Sequence, residues 1–248
     1  MQDIWTDLQY RIIRALAPPS SRLDESSFEG KSKLRELAGD SILDEFRGKH
    51  IIEFGCGAGR QTVELALAGA GRVTGVDIQE DLLVSAREYA QAAGVADRCE
   101  FVTSTEKLAD VIFTMDAFEH FTDPEAVLRK MRASLKPGGY VYVVFGYTWL
   151  HPLGGHLLSI FPWAHLLFSE KALMRWRATV RDDGATRICE VKGGLGKMTI
   201  GRFERLAAST GFRVENLELR PIRRAAWLHC RLTQEFLTSG IRCRLVPV

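Results

Sequence analysis

Paired cysteines are what this chain most plainly lacks. Its five cysteines, Cys56, Cys99, Cys189, Cys230 and Cys243, are odd in number and form no C-x-x-C pair. No His/Cys spacing matches a zinc site, which excludes a disulfide scaffold and a zinc module. Reduced, buried thiols in a cytoplasmic protein are expected instead. An apolar leader is also missing: Met1 to Tyr10 carries Asp3 and Asp7, so it does not read as a signal peptide. The longest stretch without an acidic side chain, Lys or Arg runs over 33 residues from Pro137 to Ser169. Pro152, Pro162 and the glycines at 138, 139, 146, 154 and 155 interrupt it, so it does not read as a spanning helix. Internal repeats and low-complexity runs are absent, and the net charge of 248 residues is only +2.

What is present is a chain able to fold. Hydrophobic residues make up 46% of it, enough for a substantial core in one large domain or two small ones. The small net charge hides a division. Residues 171–248 hold 16 Lys and Arg against 7 Asp and Glu, whereas residues 1–170 hold 17 against 24. A basic third of this kind either lies on solvated helix faces or meets an anionic ligand or surface.

Periodicity predicts helices over Ile4–Ala17, ended by Pro18-Pro19, and over Lys31–Phe46. His50–Phe54 is a short apolar run that suits a buried strand. Helices follow over Gln61–Ala70, Asp81–Ala93 and Pro124–Leu135, the last ended by Lys136-Pro-Gly-Gly139. Strands are expected at Arg72–Asp77, Glu100–Thr103, Val111–Met115 and Tyr140–Phe145. This alternation implies a mainly parallel sheet covered on both faces. The pattern then breaks in an aromatic-rich stretch, 146–198, read as an insertion over the sheet. Thr199–Ser209 and Ala225–Leu237 read as helices, with strands at Phe212–Leu219 and Ile241–Val246. The expected division is a helical cap over 1–48 and a main domain over 49–248.

The strongest local signal is Glu53-Phe-Gly-Cys-Gly-Ala-Gly-Arg60, a glycine bend between a strand and a helix. Gly55, Gly57 and Gly59 let a backbone approach a ligand closely. Asp77, at the end of the next strand, can accept hydrogen bonds from both hydroxyls of a ribose. A dinucleotide fingerprint needs G-x-G-x-x-G, but position 60 is Arg60 and position 62 is Thr62, so neither register fits. Glu53 would also repel a pyrophosphate and suits a cationic ligand, such as the ammonium of a methionine moiety.

Glu53-Phe-Gly-Cys-Gly-Ala-Gly59 resembles motif I of the class I S-adenosylmethionine-dependent methyltransferases. Asp77 matches that family's ribose-binding acid. Asp116-Ala-Phe-Glu-His-Phe121 resembles the segment after its fourth strand, and Leu135-Lys-Pro-Gly-Gly-Tyr140 resembles the turn before its fifth. The resemblance spans about Lys49 to Phe145. It implies an α/β, Rossmann-like fold: a seven-stranded, mainly parallel sheet with helices on both faces and an antiparallel last strand. It implies S-adenosyl-L-methionine as cofactor and S-adenosyl-L-homocysteine as product. The cofactor residues it implies are Glu53, Gly55, Cys56, Gly57, Gly59, Asp77, Ile78, Ser104, Thr105, Glu106, Met115 and Asp116. Ser104 stands where the family usually carries an acid near adenine.

A sulfonium methyl is already activated, so the protein's task is alignment and exclusion of water, worth roughly 7–11 kcal/mol. An oxygen or carbon acceptor also needs a base. Candidates are His120, after the fourth strand, and His151 and His156 in the insertion. Packing is the bland alternative for each, as for His165, and the histidines show no recognised metal-ligand spacing. The aromatic insertion suits a small, largely apolar or lipid-like acceptor, or peripheral contact with a membrane. The basic third would suit an anionic group on it. Oxygen or carbon is the expected target ahead of nitrogen. An RNA methyltransferase is the alternative enzyme, though no appended RNA-binding motif is present and nucleic acid is not the expected partner. A cofactor-binding subunit without chemistry is the non-enzyme alternative.

Overall fold

The computed structural model describes residues 3–17, 32–156, 158–181, 184–191 and 195–248, with only the backbone of Cys189. The Pro18-Pro19 stop and the Lys31 start lie outside the described residues. Helix α1 (Ile4–Leu16) begins at Asp3, whose carboxylate accepts from the Trp5 amide at 3.2 Å. The helix expected up to Phe46 is two helices, α2 (Lys33–Ala38) and α3 (Asp40–Phe46). They part at Gly39, whose φ of 89° no continuous helix can hold.

The chain then alternates: β1 (His50–Phe54), α4 (Arg60–Leu67), β2 (Arg72–Val76), α5 (Glu80–Ala92), β3 (Cys99–Val102) and β4 (Ala109–Met115). Next come α6 (Pro124–Ala133), capped by Asp123, and β5 (Leu135–Gly146). Lys136-Pro-Gly-Gly139 does not form a separate turn. The chain there is drawn into β5, and the register against β4 slips between the Ala109↔Leu135 and Val111↔Tyr140 pairs to absorb it. After the insertion, with α7 (Ala164–Leu167) and α8 (Glu170–Arg177), come α9 (Ile200–Ser209) and β6 (Phe212–Pro221). The short α10 (Gln234–Leu237) and β7 (Thr238–Pro247) end the chain.

The sheet has seven strands in the order β3-β2-β1-β4-β5-β7-β6. The first five run parallel, and β7 is antiparallel to both β5 and β6. One face is covered by α2 to α5, where Leu34, Ile42, Phe46, Val63, Leu83 and Phe113 share a core. The other face takes α6 and α9 through Leu128, Met131, Phe203 and Ala207. A third cluster joins α1 to the insertion, with Ile13 and Ala17 against Leu158, Ala172 and Trp176. Among the described residues no helix is long and apolar enough to cross a membrane.

Two further expectations are corrected. The helix over Ala225–Leu237 is instead a 3-10 turn, Arg223–Leu228, and the separate α10. The Thr233 hydroxyl accepts from the Cys230 amide at 3.0 Å and donates to the Leu228 carbonyl, diverting backbone groups from a helix. The thiols are not uniformly buried: Cys56 and Cys243 are, Cys99 is half-buried and Cys230 is exposed.

Part of the basic C-terminal third faces inward. Arg242 donates to the Ala38 carbonyl at 2.7 Å and Arg220 to the Leu37 carbonyl at 2.6 Å. Arg244 and the Tyr140 hydroxyl both bond Glu45. These contacts clamp α2 and α3 onto the sheet. Phe46 lies edge-on to Phe113 and Tyr142, with ring centroids 6.1 and 6.0 Å away. Phe46→Ala should therefore lower stability by about 3–5 kcal/mol in urea unfolding. An unchanged midpoint would show that α3 does not share the sheet's core.

Candidate active site

The carboxyl ends of the parallel strands are where an open α/β sheet binds ligands. Here β1 delivers Glu53 and Phe54 to the glycine bend, and α4 leaves it at Arg60. The three glycines have separate duties. A Cβ on Gly55 would stand 2.4 Å from the Ala117 Cβ, and one on Gly59 would stand 2.8 Å from Ala86 and Phe101. Those two glycines admit protein neighbours. Gly57, at φ 50°, would meet nothing within 4 Å, so its bare backbone faces open space.

Asp77 holds that bend in place. Its Oδ2 accepts from the Gly57 amide at 2.8 Å and its Oδ1 from the Gln79 amide at 2.9 Å. Each oxygen keeps a second lone pair, the requirement for gripping two ribose hydroxyls. The amides of Gly55, Cys56 and Gly59 are already bonded to the Val76, Val76 and Cys56 carbonyls. The bend therefore offers a ligand close approach more than it offers donors. Ile78, next to Asp77, is 89% exposed, an apolar ledge beside the acid.

Glu53 lies beneath the bend, 1% exposed, and accepts from the Thr62 hydroxyl. Burial, with Asp77 adding to it, pushes its carboxyl up to about 8. The Cys56 and Met115 side chains also point into the core, leaving backbone at those positions for a ligand. Burial, then Glu53 and Asp77, drives the Cys56 thiol up. After β3, Ser104 and Glu106 are exposed and Thr105 is buried, its hydroxyl accepting from the Lys107 amide at 3.2 Å.

A second group gathers at the ends of β4 and β5. Asp116, at φ 49°, pairs with Lys33 of α2 at 2.5 Å. Glu119 is buried, and its Oε2 has no hydrogen-bond partner among the described residues. Burial, then Asp116, pushes this carboxyl up to about 8. The His120 and His156 rings lie 5.6 Å apart, and Tyr147 stacks on His151 at 4.6 Å and leans on His156 at 5.7 Å. All three candidate histidines thus stand in one cluster.

Their free nitrogens differ. His151 Nδ1 accepts from the Leu153 amide at 2.9 Å, so in the neutral ring the proton sits on Nε2 and His151 presents a donor. His156 Nδ1 is buried without a hydrogen-bond partner among the described residues. Burial first, then neighbouring histidines, holds both rings down at about 4. His165 stands apart from the cluster's chemistry: its Nε2 lies 2.5 Å from the Trp149 carbonyl and its ring packs on Gly155. Among the described residues no group of three His, Cys, Asp or Glu is arranged to hold a metal. Lys33 and Glu119 were not singled out from the sequence. Glu119 lies inside the segment after β4, but nothing near Lys33 announced its reach to Asp116.

A shallow hollow at the opposite edge, lined by Arg47, Lys49, Asp110 and Lys136, belongs to the strands' amino ends. Lys136 pairs with Asp110 at 2.9 Å, Arg47 with Asp44 at 3.2 Å and Lys49 with Glu45 at 4.0 Å, which leaves little charge for a ligand.

The raised carboxyls make stability depend on pH. Folded Glu53 and Glu119 hold their protons until about 8, whereas the unfolded chain releases them near 4.5. Their contribution is complete below the unfolded value and is lost as pH rises through the folded one. Below about pH 6.5 the depressed His151 and His156 oppose this trend, so urea midpoints should fall between about pH 6.5 and about pH 8. Glu53→Gln, which keeps an acceptor for Thr62, should flatten that slope, and adding Glu119→Gln should flatten it further. A slope indifferent to both changes would remove the assignment.

Comparison with known proteins agrees with this geometry. Residues 52–143 match the model of a family described as Methyltransferase domain. A ubiquinone biosynthesis O-methyltransferase from Coxiella burnetii is 36% identical over 101 residues, 39% of this chain and 43% of the relative. One from Neisseria meningitidis is 30% identical over 156 residues, 60% of this chain and 65% of the relative. The chain thus spans less than two thirds of either relative's length. An S-adenosylmethionine-dependent methyltransferase from Mesorhizobium loti shares the fold at a TM-score of 0.56 and 18% identity, covering 88% of this chain and 99% of that one. A magnesium protoporphyrin IX methyltransferase from Synechocystis, solved with bound SAH, does so at 0.52 and 16%, covering 84% and 81%. Family match, sheet order and glycine bend converge on a methyltransferase domain over residues 52–143, in a fold shared with solved S-adenosylmethionine-dependent methyltransferases.

Proposed function

We propose that the chain transfers a methyl group from S-adenosylmethionine to an oxygen of a small, largely apolar acceptor, with carbon as the second choice of atom. The observation that carries this reading is the histidine–tyrosine cluster beside Asp116, at the same sheet edge as the glycine bend. The O-methyltransferase names of the relatives support oxygen.

The residues fit the cofactor. Gly57 leaves a cradle that a Cβ would fill, and Asp77 has lone pairs for a ribose. Ile78 would flank the adenine, with Ser104, Thr105 and Glu106 on the loop opposite. The Glu53 and Asp116 carboxyls would face the cationic end, whose charge would favour the ionised form of Glu53, and Gly55, Cys56, Gly59 and Met115 would shape the floor. When bound, the cofactor supplies a methyl already activated on a sulfonium.

The chain's own work is to position and deprotonate the acceptor. His156 Nδ1 takes the acceptor hydroxyl proton, since its ring is neutral at physiological pH and that nitrogen is uncommitted among the described residues. His151 donates from Nε2 to an acceptor oxygen, and His120 packs behind His156. The insertion excludes water from above, and residues 1–48 act as a cap through Lys33 over Asp116. An acidic group on the acceptor would meet Lys33. We read the reaction as cytoplasmic, the compartment that suits Cys56, Cys99, Cys230 and Cys243, which are free thiols among the described residues.

Two measurements test this. Asp77→Ala should weaken S-adenosylmethionine binding by about 1.5–3 kcal/mol in calorimetry; an unchanged affinity would remove the ribose role. In tritiated methyl transfer to a metabolite extract, His156→Gln should lower the rate roughly a hundredfold while leaving cofactor affinity intact. A rate equal to the parent's would end the base assignment, and no transfer by the parent would favour a binding subunit.

A further inference from the structure

The excursion between β6 and β7 combines a fixed backbone with an unburied apolar surface. Its ends are tied by the Ile222 amide to the Leu237 carbonyl at 2.8 Å, and Thr233 braces its middle. Sixteen residues closed in this way form a compact Ω-shaped loop. A loop with only a connecting role would turn its large side chains inward. Here neither the 3-10 turn nor α10 buries a residue. Trp227 is 82% exposed, Leu232 91% and Phe236 43%.

The charge around these side chains is of one sign. Arg223, Arg224 and Arg231 are exposed, and none has a carboxylate partner among the described residues. The loop's acid, Glu235, turns away: its oxygens accept from the Ile200 and Gly201 amides at 3.0 and 2.9 Å, capping α9. Tryptophan, leucine and phenylalanine among unpaired arginines match the interface of an anionic bilayer, where indole and guanidinium sit at headgroup depth. Helix α1 offers a contrast. It too exposes Ile4, Leu8, Ile12 and Leu16, but the charges at its border pair with one another, Asp7 with Arg11 at 3.1 Å and with Arg175 at 2.7 Å. Among the described residues Arg14 is the one base of α1 outside these pairs, a single charge where the loop has three.

The loop stands at the active edge of the sheet. Gly146, ending β5, pairs with Gly240 of β7, the Tyr147 amide reaches the Ser239 carbonyl, and the Thr148 hydroxyl donates to the Glu235 carbonyl at 3.3 Å. The histidine cluster and the loop are thus joined through adjacent residues. We propose that the 222–237 loop docks this protein on anionic lipid surfaces, bringing the mouth of the acceptor site to the bilayer. The mouth rests on the reading of an apolar acceptor given above; the docking surface does not.

Co-sedimentation of the full chain with vesicles tests the docking. Phosphatidylcholine vesicles containing about a third phosphatidylglycerol should bind it, pure phosphatidylcholine should bind it weakly, and salt should weaken the anionic binding. Arg223→Glu with Arg231→Glu should lower partitioning roughly tenfold or more. Trp227→Ser with Leu232→Ser should lower it comparably at an unchanged unfolding midpoint, since both side chains lie in solvent. The proposal is overturned if the parent ignores anionic vesicles or if both double variants bind as the parent does. It is equally overturned if the substitutions abolish only self-association or capture of a protein. Calorimetric cofactor binding and methyl transfer without vesicles separate the two readings. A parent that transfers methyl but does not dock sinks the surface alone, and a parent that docks but does not transfer methyl sinks the acceptor reading alone.

Discussion

Crowding of carboxyl groups at one edge of the sheet is the constraint on which this site depends. Glu53, Asp77, Asp116 and Glu119 come from the ends of β1, β2 and β4; burial first, and then a neighbouring aspartate, holds Glu53 and Glu119 up near 8. Asp77 meets its share with two backbone amides, and Asp116 with Lys33. Glu53 meets it by staying protonated under a threonine hydroxyl. A ligand carrying positive charge relieves this crowding and a pyrophosphate aggravates it. The preference for a sulfonium nucleoside therefore arises from electrostatics of the whole edge as well as from the spacing of glycines.

Local chemistry was legible in the sequence and distant chemistry was not. His50–Phe54 is a strand to the residue, because a short apolar run ending in glycines has few other solutions. The bend and Asp77 were visible because a strand end, a side-chain-poor turn and an acid at the next strand end are all local features. Gly39 shows the limit of periodicity: the apolar spacing runs on through it, but the backbone turns left-handed there and splits one helix into two. At Lys136-Pro-Gly-Gly139, punctuation that normally stops a strand is absorbed by a register slip, a property of the β4–β5 pair and not of either segment alone.

The site's second half was hidden for a different reason. Lys33, Asp116 and His156 lie far apart in sequence, and only the packing of α2 and the path of the insertion bring them together. Composition misled in a similar way. The basic third looked like one feature, but Arg220, Arg242 and Arg244 are structural clamps on α2 and α3, while Arg223, Arg224 and Arg231 stand in solvent. Side chains of one type, within two dozen positions, serve opposite ends because β6 and β7 turn some inward and the connecting loop turns others out.

Backbone strain marks where the fold gives way to function. Asp116 and Tyr147 are non-glycine residues at positive φ, 49° and 33°, and each directly follows a central strand, β4 and β5. Such conformations cost of order 1–3 kcal/mol apiece and persist only where the surroundings hold them. The holding groups are identifiable: Lys33 on the Asp116 carboxylate, the Val144 carbonyl on its amide at 2.9 Å, and the His151 ring on Tyr147. Relaxing either residue to an ordinary strand exit would carry its side chain away from the edge and disperse the cluster. The sheet's rigidity is what sustains this strain. Five parallel strands fix the exit points, and the two antiparallel strands beyond β5 tie Gly146 and Tyr147 to the base of the exposed loop. In this arrangement the glycine bend, the histidine cluster and the loop are successive stations along one sheet edge, each oriented by the strand that ends there.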